Sequence, residues 1–376
     1  MKRTRGSILK GQWIGRYQGT NNGLILVDID DCGDHFEGRA HLYDDDPELT
    51  GQIVIIETKD RQTRHNLELQ IMHTNLQTGE ILTFDQFNEI SKDVNLPGTA
   101  TVKIDLKPRA LHISWVTSVG TSSKASLERS KSESKSEYRA ERQFRSWEKF
   151  KKFAFSLESS RYIFRGQAQP WRLRTAFHRS QRKDLVRFIT DDIPSLHHAL
   201  TARTKHLFRL DDPLECGAFY NLIQHHGYPT PLLDWSHSPF IAAYFAFMPK
   251  RRFQTDSNSV RIFMFDSKAW RRDFRQLQKV TFARPHFSLL QALVIENERA
   301  MPQQGLSSVT NLDDIESYIR FHEAQNQVQY LRVFDLPFSS RESVLRELNI
   351  MGISAGSLFP GLDGACEEMK GKFFGY

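Results

Sequence analysis

Over residues 8–129 the chain alternates apolar and polar side chains in short runs, broken by Gly, Asn and Asp. Side chains of a strand point alternately to its two faces, so a period of two with turn residues between the runs predicts antiparallel strands. Seven runs qualify: residues 13–17, 23–29, 35–42, 52–57, 66–72, 100–106 and 111–116. Such short strands must hide their edges, which predicts a small all-β barrel or sandwich. The acidic residues Asp28, Asp30, Asp31, Asp34 and Asp44-Asp45-Asp46 lack the spacing of an EF-hand loop and are expected in solvated turns.

The pattern ends in TSSKASLERSKSESKSEYRAE, residues 121–141, which has almost no large apolar side chains past Leu127. A Ser-, Lys- and Glu-rich segment buries too little surface to order itself, so a flexible linker is expected. The domains are then residues 1–129 (all-β), 130–140 (linker) and 141–376. After the linker, Phe144, Trp147, Phe150, Phe153 and Leu157 recur at helical spacing. The β-formers Tyr162, Ile163 and Phe164 follow, with Arg165 at their exit and Gly166 expected to turn the backbone. An arginine fixed at a strand end suits a phosphate or carboxylate bound bidentately; a structural tie to a nearby loop fits the same residues. Gln169-Pro170-Trp171-Arg172 places an indole among cations, fit for stacking a base or for packing beneath the strand.

A helix is expected from about Pro213 to His226, stopped by Gly227, with His225 in its last turn where the dipole raises a histidine's basicity. His225 and His226 point about 100° apart, so no shared metal is expected. Residues 232–236 read as a buried strand ending in polar residues, and Pro239 opens another helix. Towards the C-terminus, residues 328–334 predict a strand, residues 340–348 a helix stopped by Gly352, and residues 358–364 a turn into a last helix through Met369, with Phe359 filling the core.

The 376 residues exceed one ordinary core and suggest two domains. A net charge of +6 makes acidic partners easy, but it is spread thinly. Three cysteines without a CxxC pair point to a reducing compartment, no disulfide framework and no cysteine zinc site. No apolar run approaches about 18 residues and the N-terminus has no apolar leader core, so a soluble, cytoplasmic protein without membrane contact is expected. Phosphate-loop and HExxH motifs are missing.

Phe164-Arg165-Gly166-Gln167 resembles the signature of the FRG domain family. Gln224-His225-His226-Gly227, Pro229-Thr230, Leu232-Leu233-Asp234-Trp235 and Ala242-Ala243-Tyr244-Phe245-Ala246 resemble its second block. Gln303-Gln304-Gly305-Leu306 resembles the third, and Leu358-Phe359-Pro360-Gly361-Leu362-Asp363-Gly364 the last. The opening Gly11-Gln12-Trp13 and Gly15-x-Tyr17-x-Gly19 are similar to the first strand of small ligand-binding barrels, though such a tryptophan more often just plugs the barrel floor.

Arg165 followed by the turn Ser236-His237-Ser238 and an Ala-x-x-Phe helix further resembles the R-S-E type of ADP-ribosyltransferases. That resemblance implies an α+β, ADP-ribosyltransferase-like domain with NAD as its substrate. Arg165 would anchor the dinucleotide, Ser236 and Ser238 would frame the nicotinamide ribose, Tyr244 would form a stacking wall, and Gly166, Gln167 and Asp234 would complete the cofactor-binding set. The catalytic glutamate is where the pattern departs, because Gln304 stands in its place. A glutamine orients a ribose hydroxyl but supplies no negative charge, so Glu298 or Glu323 would have to reach the site, with His225 beside it. The expected function is binding of NAD or a related nucleotide, with ADP-ribose transfer to a protein or nucleic-acid acceptor or cleavage of nicotinamide; a toxin or phage-defence setting is consistent with the family. The alternative is a non-catalytic module that binds a nucleotide or protein.

Overall fold

The computed structural model describes residues 8–76, 79–90, 94–249, 258–278, 284–290 and 293–374. Its first part is an antiparallel barrel of eight strands: β1 (Gly11–Gly19), β2 (Gly23–Asp31), β3 (Phe36–Asp44), β4 (Gly51–Glu57), β5 (Arg64–Thr74), β6 (Thr99–Leu106), β7 (Ala110–Thr117) and β8 (Ser122–Glu128). Each pairs with its neighbour in sequence, and β8 closes on β1 through Tyr17 opposite Ala125. The alternating residues on the inner face, among them Trp13, Tyr17, Val27, Ala40, Val102, Ile113 and Leu127, form one buried cluster, so the interior is packed with side chains.

The second part is a mixed α/β region around a six-stranded sheet. Its strands are β9 (Tyr162–Gln167), β10 (Leu232–Ser236), β11 (Ser259–Asp266), β12 (Phe287–Leu290), β13 (Gly305–Thr310) and β14 (Leu331–Pro337), in the order β12-β13-β10-β9-β11-β14. The period of two sorts the central residues. Phe164, Ile262, Met264, Phe334 and Leu336 meet the helices Trp147–Phe155, Pro239–Phe247 and Arg341–Ile350 on one face. Ile163, Phe263, Phe265, Leu331 and Val333 meet Ser267–Asp273 and Ile315–Asn326 on the other. No helix among the described residues is long and apolar enough to cross a membrane.

Three expectations are corrected. The barrel has an eighth strand, Ser122–Glu128, inside the segment whose composition predicted a linker. The remainder of that segment is docked: Ser132 is buried and its Oγ donates to Asp313 at 2.6 Å, Ser136 Oγ donates to Glu316 at 2.8 Å and Tyr138 OH donates to Glu323 at 2.8 Å. Composition measures apolar surface alone, whereas this segment is held by hydroxyls meeting buried carboxylates and by Arg172, whose side chain is enclosed between Glu137 and Asp314. Finally, Asp28 and Asp30 do not lie in solvated turns. They are buried on the outer face of β2, against the second region.

That contact resembles a strand ladder made by one side chain. Gln12 Nε2 donates to Asn311 O at 2.7 Å and to Asp28 Oδ1 at 2.9 Å, while Gln12 Oε1 accepts Asp313 N at 2.7 Å. Asp30 accepts the backbone N–H groups of Lys183 and Asp184, and Arg39 pairs with Asp184. Burial, reinforced by the like charges of Asp184, Asp30 and Asp313, raises the Asp28 carboxyl well above its ordinary value of 3.8. The native state thus keeps a proton that the unfolded chain releases above that value. Its contribution to stability is complete below pH 3.8 and is lost as pH rises through the raised native value.

Asp28→Asn removes this titration, so urea midpoints at about pH 5 and about pH 8 should lie closer together than in the parent. An unchanged pH slope would show that Asp28 is ionised in the fold. Docking of the Ser-rich segment is checked by limited proteolysis. Native protein should resist cleavage at residues 129–141, and Arg172→Ala, which removes the cation joining Glu137 to Asp314, should cost about 3 kcal/mol in urea and open the segment to protease.

Candidate functional site

The centre of the second sheet is split. β9 pairs with β11 over six residues, from Tyr162 opposite Asp266 to Gln167 opposite Arg261. On its other side β9 meets β10 at one pair only, Ser236 opposite Phe164. Beyond that point Arg165 Nη1 donates to the carbonyl of Asp234 at 2.7 Å, across the gap where a ladder bond would otherwise lie. The residue is half-buried, and protein atoms crowd its guanidinium. Burial pulls its pKa down to about 10, opposed by the charge of Asp234 and aided by Arg179. It remains a cation at neutral pH, and its buried Nε has no partner among the described residues.

Asp234 is held in turn. The helix Pro213–His225 starts at Asp212, whose carboxylate accepts Leu214 N and Glu215 N, and it ends at Gly227, whose φ of +87° suits glycine. Its last turns present Asn221 and Gln224. Gln224 Nε2 donates to Asp234 Oδ1 while Thr230 Oγ1 donates to Gln224 Oε1; Ser307 Oγ lies 3.3 Å from both Asp234 Oδ1 and Asn221 Oδ1. The carboxylate is thereby fixed, and its charge acts on Arg165, Arg179 and His225 together.

The structure redistributes the roles expected of the other residues. Gly166 makes no turn. It lies inside β9, where a Cβ would collide with Ala242 O and come within 2.7 Å of Ala246 N, so glycine lets the helix Pro239–Phe247 lie against the strand. Gln167 Nε2 donates to Trp171 O at 3.1 Å, and the Trp171 indole itself is exposed. The serine hydroxyls are engaged in scaffolding. Ser236 Oγ donates to Gln303 O at 2.8 Å and accepts Ser238 N, and Ser238 caps the helix by accepting Ile241 N at 3.3 Å. Tyr244 is a buried core residue, not a stacking wall. His225 lies close enough to feel Asp234, but burial holds its pKa below the usual value, outweighing the Asp234 charge, where the helix end alone predicted a raised one. Asn297 hydrogen-bonds its ring, and Arg299 Nη1 donates to its carbonyl at 3.1 Å.

Of the three candidates for the charge-bearing position, Gln304 is exposed in the left-handed region, φ +47°, with its carbonyl accepting His237 N at 3.0 Å. Its backbone therefore lies beside His237, just past the end of β10. Glu323 is elsewhere: its carboxylate accepts Tyr330 N, Leu331 N and Tyr138 OH, each at 2.8 Å, and organises the start of β14. Glu298 is exposed, one residue beyond the Asn297 that bonds His225. Asn221, Asn297 and Arg299 were missed. Asn221 is marked only by its three-residue offset from Gln224 on one helix face, Asn297 and Arg299 by no local signal, and Gln303, though quoted in its block, was given no role.

This combination of a split sheet, a cation at the split and an adjoining glutamine loop can grip an anion and orient a hydroxyl. Residues 160–255 match the FRG domain family. The FRG match takes in Arg165, the Gln224–Asp234 pair and the helix Pro239–Phe247, while the Gln303–Gln304 loop and the last block lie beyond it. No curated protein matches the chain. Among solved structures, a de novo designed fluorescence-activating β barrel aligns with 33% of this chain and 94% of its own at 12% identity, with a TM-score of 0.22.

Helix and strand in the FRG segment approach too closely for any side chain at Gly166. Gly166→Ala should lower stability by about 3 kcal/mol or more in a denaturant titration, as overpacking against backbone does. A variant as stable as the parent would place the helix farther from β9 than described.

Proposed function

We propose that the cleft at the β9–β10 split binds a nucleotide through its phosphate, with NAD as the candidate ligand. One observation carries this: Arg165 is a crowded cation at the point where the sheet opens, with one hydrogen bond to a carbonyl and an unpartnered Nε. A protein keeps such a donor when something else completes it, because a buried, unsatisfied polar atom costs about 1–3 kcal/mol. A phosphate over Arg165 restores the lost hydration and accepts the fork. Fixed by Gln224, the Asp234 carboxylate keeps the guanidinium charged and aimed. Gln304, beside His237, is suited to a ribose hydroxyl as an uncharged partner.

The function this geometry supports best is therefore a nucleotide-binding module of the FRG type. Turnover of NAD, by ADP-ribose transfer to a protein or nucleic-acid acceptor or by release of nicotinamide, requires a carboxylate at the cleft. Glu323 is bound to the start of β14, so that role falls to Glu298.

Calorimetric titration of NAD into the full chain tests the binding. Arg165→Gln should weaken NAD by on the order of 10-fold to 100-fold, the worth of one charge-assisted contact, while keeping a cooperative thermal transition. Loss of that transition instead would make Arg165 a structural tie, and failure of the parent to bind NAD would remove NAD as the ligand. If nicotinamide is released, Glu298→Gln should slow it by about 10² to 10³ at unchanged NAD affinity. An unaffected rate would take Glu298 out of the reaction.

A further inference from the structure

The hairpin joining β2 and β3 gathers three metal-ligating side chains at the spacing Cys-x-x-His-x-Glu, which no paired-cysteine search detects. One ligand atom each from Cys32, His35 and Glu37 lies within 4.8 Å of the others. Cys32 Sγ stands 3.8 Å from Glu37 Oε2. With Zn–S at about 2.3 Å and Zn–O at about 2.0 Å, the S···O edge of a tetrahedral site is about 3.5 Å, so this pair needs to close by only about 0.3 Å.

The loop that presents them is braced. Cys32 N donates to His35 O at 3.1 Å, and Arg61 binds both oxygens of Asp31 while donating to Gly33 O at 2.8 Å. Asp34 Oδ1 lies 2.7 Å from His35 Nδ1, the carboxylate–imidazole pairing that orients metal-bound histidines and leaves Nε2 as the ligand. The cluster also already attracts a cation. Arg187, from the second region, places Nη1 2.5 Å from Glu37 Oε2 and 4.0 Å from Cys32 Sγ.

We propose that Cys32, His35 and Glu37 form a site for a thiolate-binding divalent metal, zinc or cobalt, which competes with Arg187 for Glu37. On binding, the Cys32 thiol gives its proton to solvent, the sulfur–metal bond forms, water fills the fourth position and the Glu37–Arg187 bridge opens. Arg187 then turns to Asp191, whose carboxylate is 3.8 Å from its Nε. Metal occupancy is thus linked to one of the bridges joining the barrel to the second region.

The test titrates Co²⁺ into the reduced full-length protein and follows the thiolate-to-cobalt charge-transfer band. The expected result is a band saturating at one cobalt per chain, abolished by Cys32→Ser and retained in Cys366→Ser. Competition predicts that Arg187→Gln, checked as folded by circular dichroism, binds Co²⁺ about 5-fold to 150-fold more tightly, as linkage of two mutually exclusive contacts requires. Absence of the band in the parent, or its survival in Cys32→Ser, overturns the site. An unchanged affinity in Arg187→Gln overturns the competition.

Discussion

The hydrogen bond from Arg165 to the Asp234 carbonyl is the contact on which the second region depends. A sheet whose central strands part after a single pair leaves backbone acceptors facing a gap, and a buried carbonyl without a donor is costly. The arginine closes the gap with a side chain where a ladder would use an N–H. Desolvating a guanidinium is expensive, and the adjoining Asp234 charge, itself held by Gln224 and Ser307, offsets that cost. A ladder bond would have used up both partners, whereas Arg165 retains donors for a ligand. Structure and candidate function therefore share one device.

The surrounding elements can be understood as support for that opening. Gly166 brings the helix Pro239–Phe247 against the strand, which fixes β9 from one face. Ser236 and Ser238 consume their hydroxyls in joining β10 to the glutamine loop and in starting the same helix. Gln303 Nε2 extends the chain of contacts by donating to Leu358 O at 3.0 Å, so the last FRG-like block steadies the loop it does not touch in sequence.

The barrel is attached through many paired polar groups. Gln12 satisfies a donor and an acceptor of the opposite backbone, Asp30 on β2 receives two backbone N–H groups and the Arg182 guanidinium, and Arg39 on β3 pairs with Asp184. Such an interface is sensitive to protonation, because its carboxylates sit close together away from water. The Ser-rich segment belongs to the same style of packing, with hydroxyls ending on Asp313 and Glu316.

Periodicity alone determined seven strands of the barrel, the helix ending at Gly227, the strand 232–236 and the helix opened by Pro239, because these patterns record which face of an element is buried. The motif around Arg165 also marked the point where β9 and β10 part. The eighth strand was illegible because only Ala125 and Leu127 among its residues are buried, and the docked segment because its partners are carboxylates distant in sequence while composition registers only apolar burial. Tertiary structure alone decided that Gly166 serves a helix contact, that the serines are scaffolding and that Glu323 is bound to β14. A side chain's role follows from which unsatisfied group it meets, and that meeting is set by how the sheet orders β12-β13-β10-β9-β11-β14, an order no local spacing encodes.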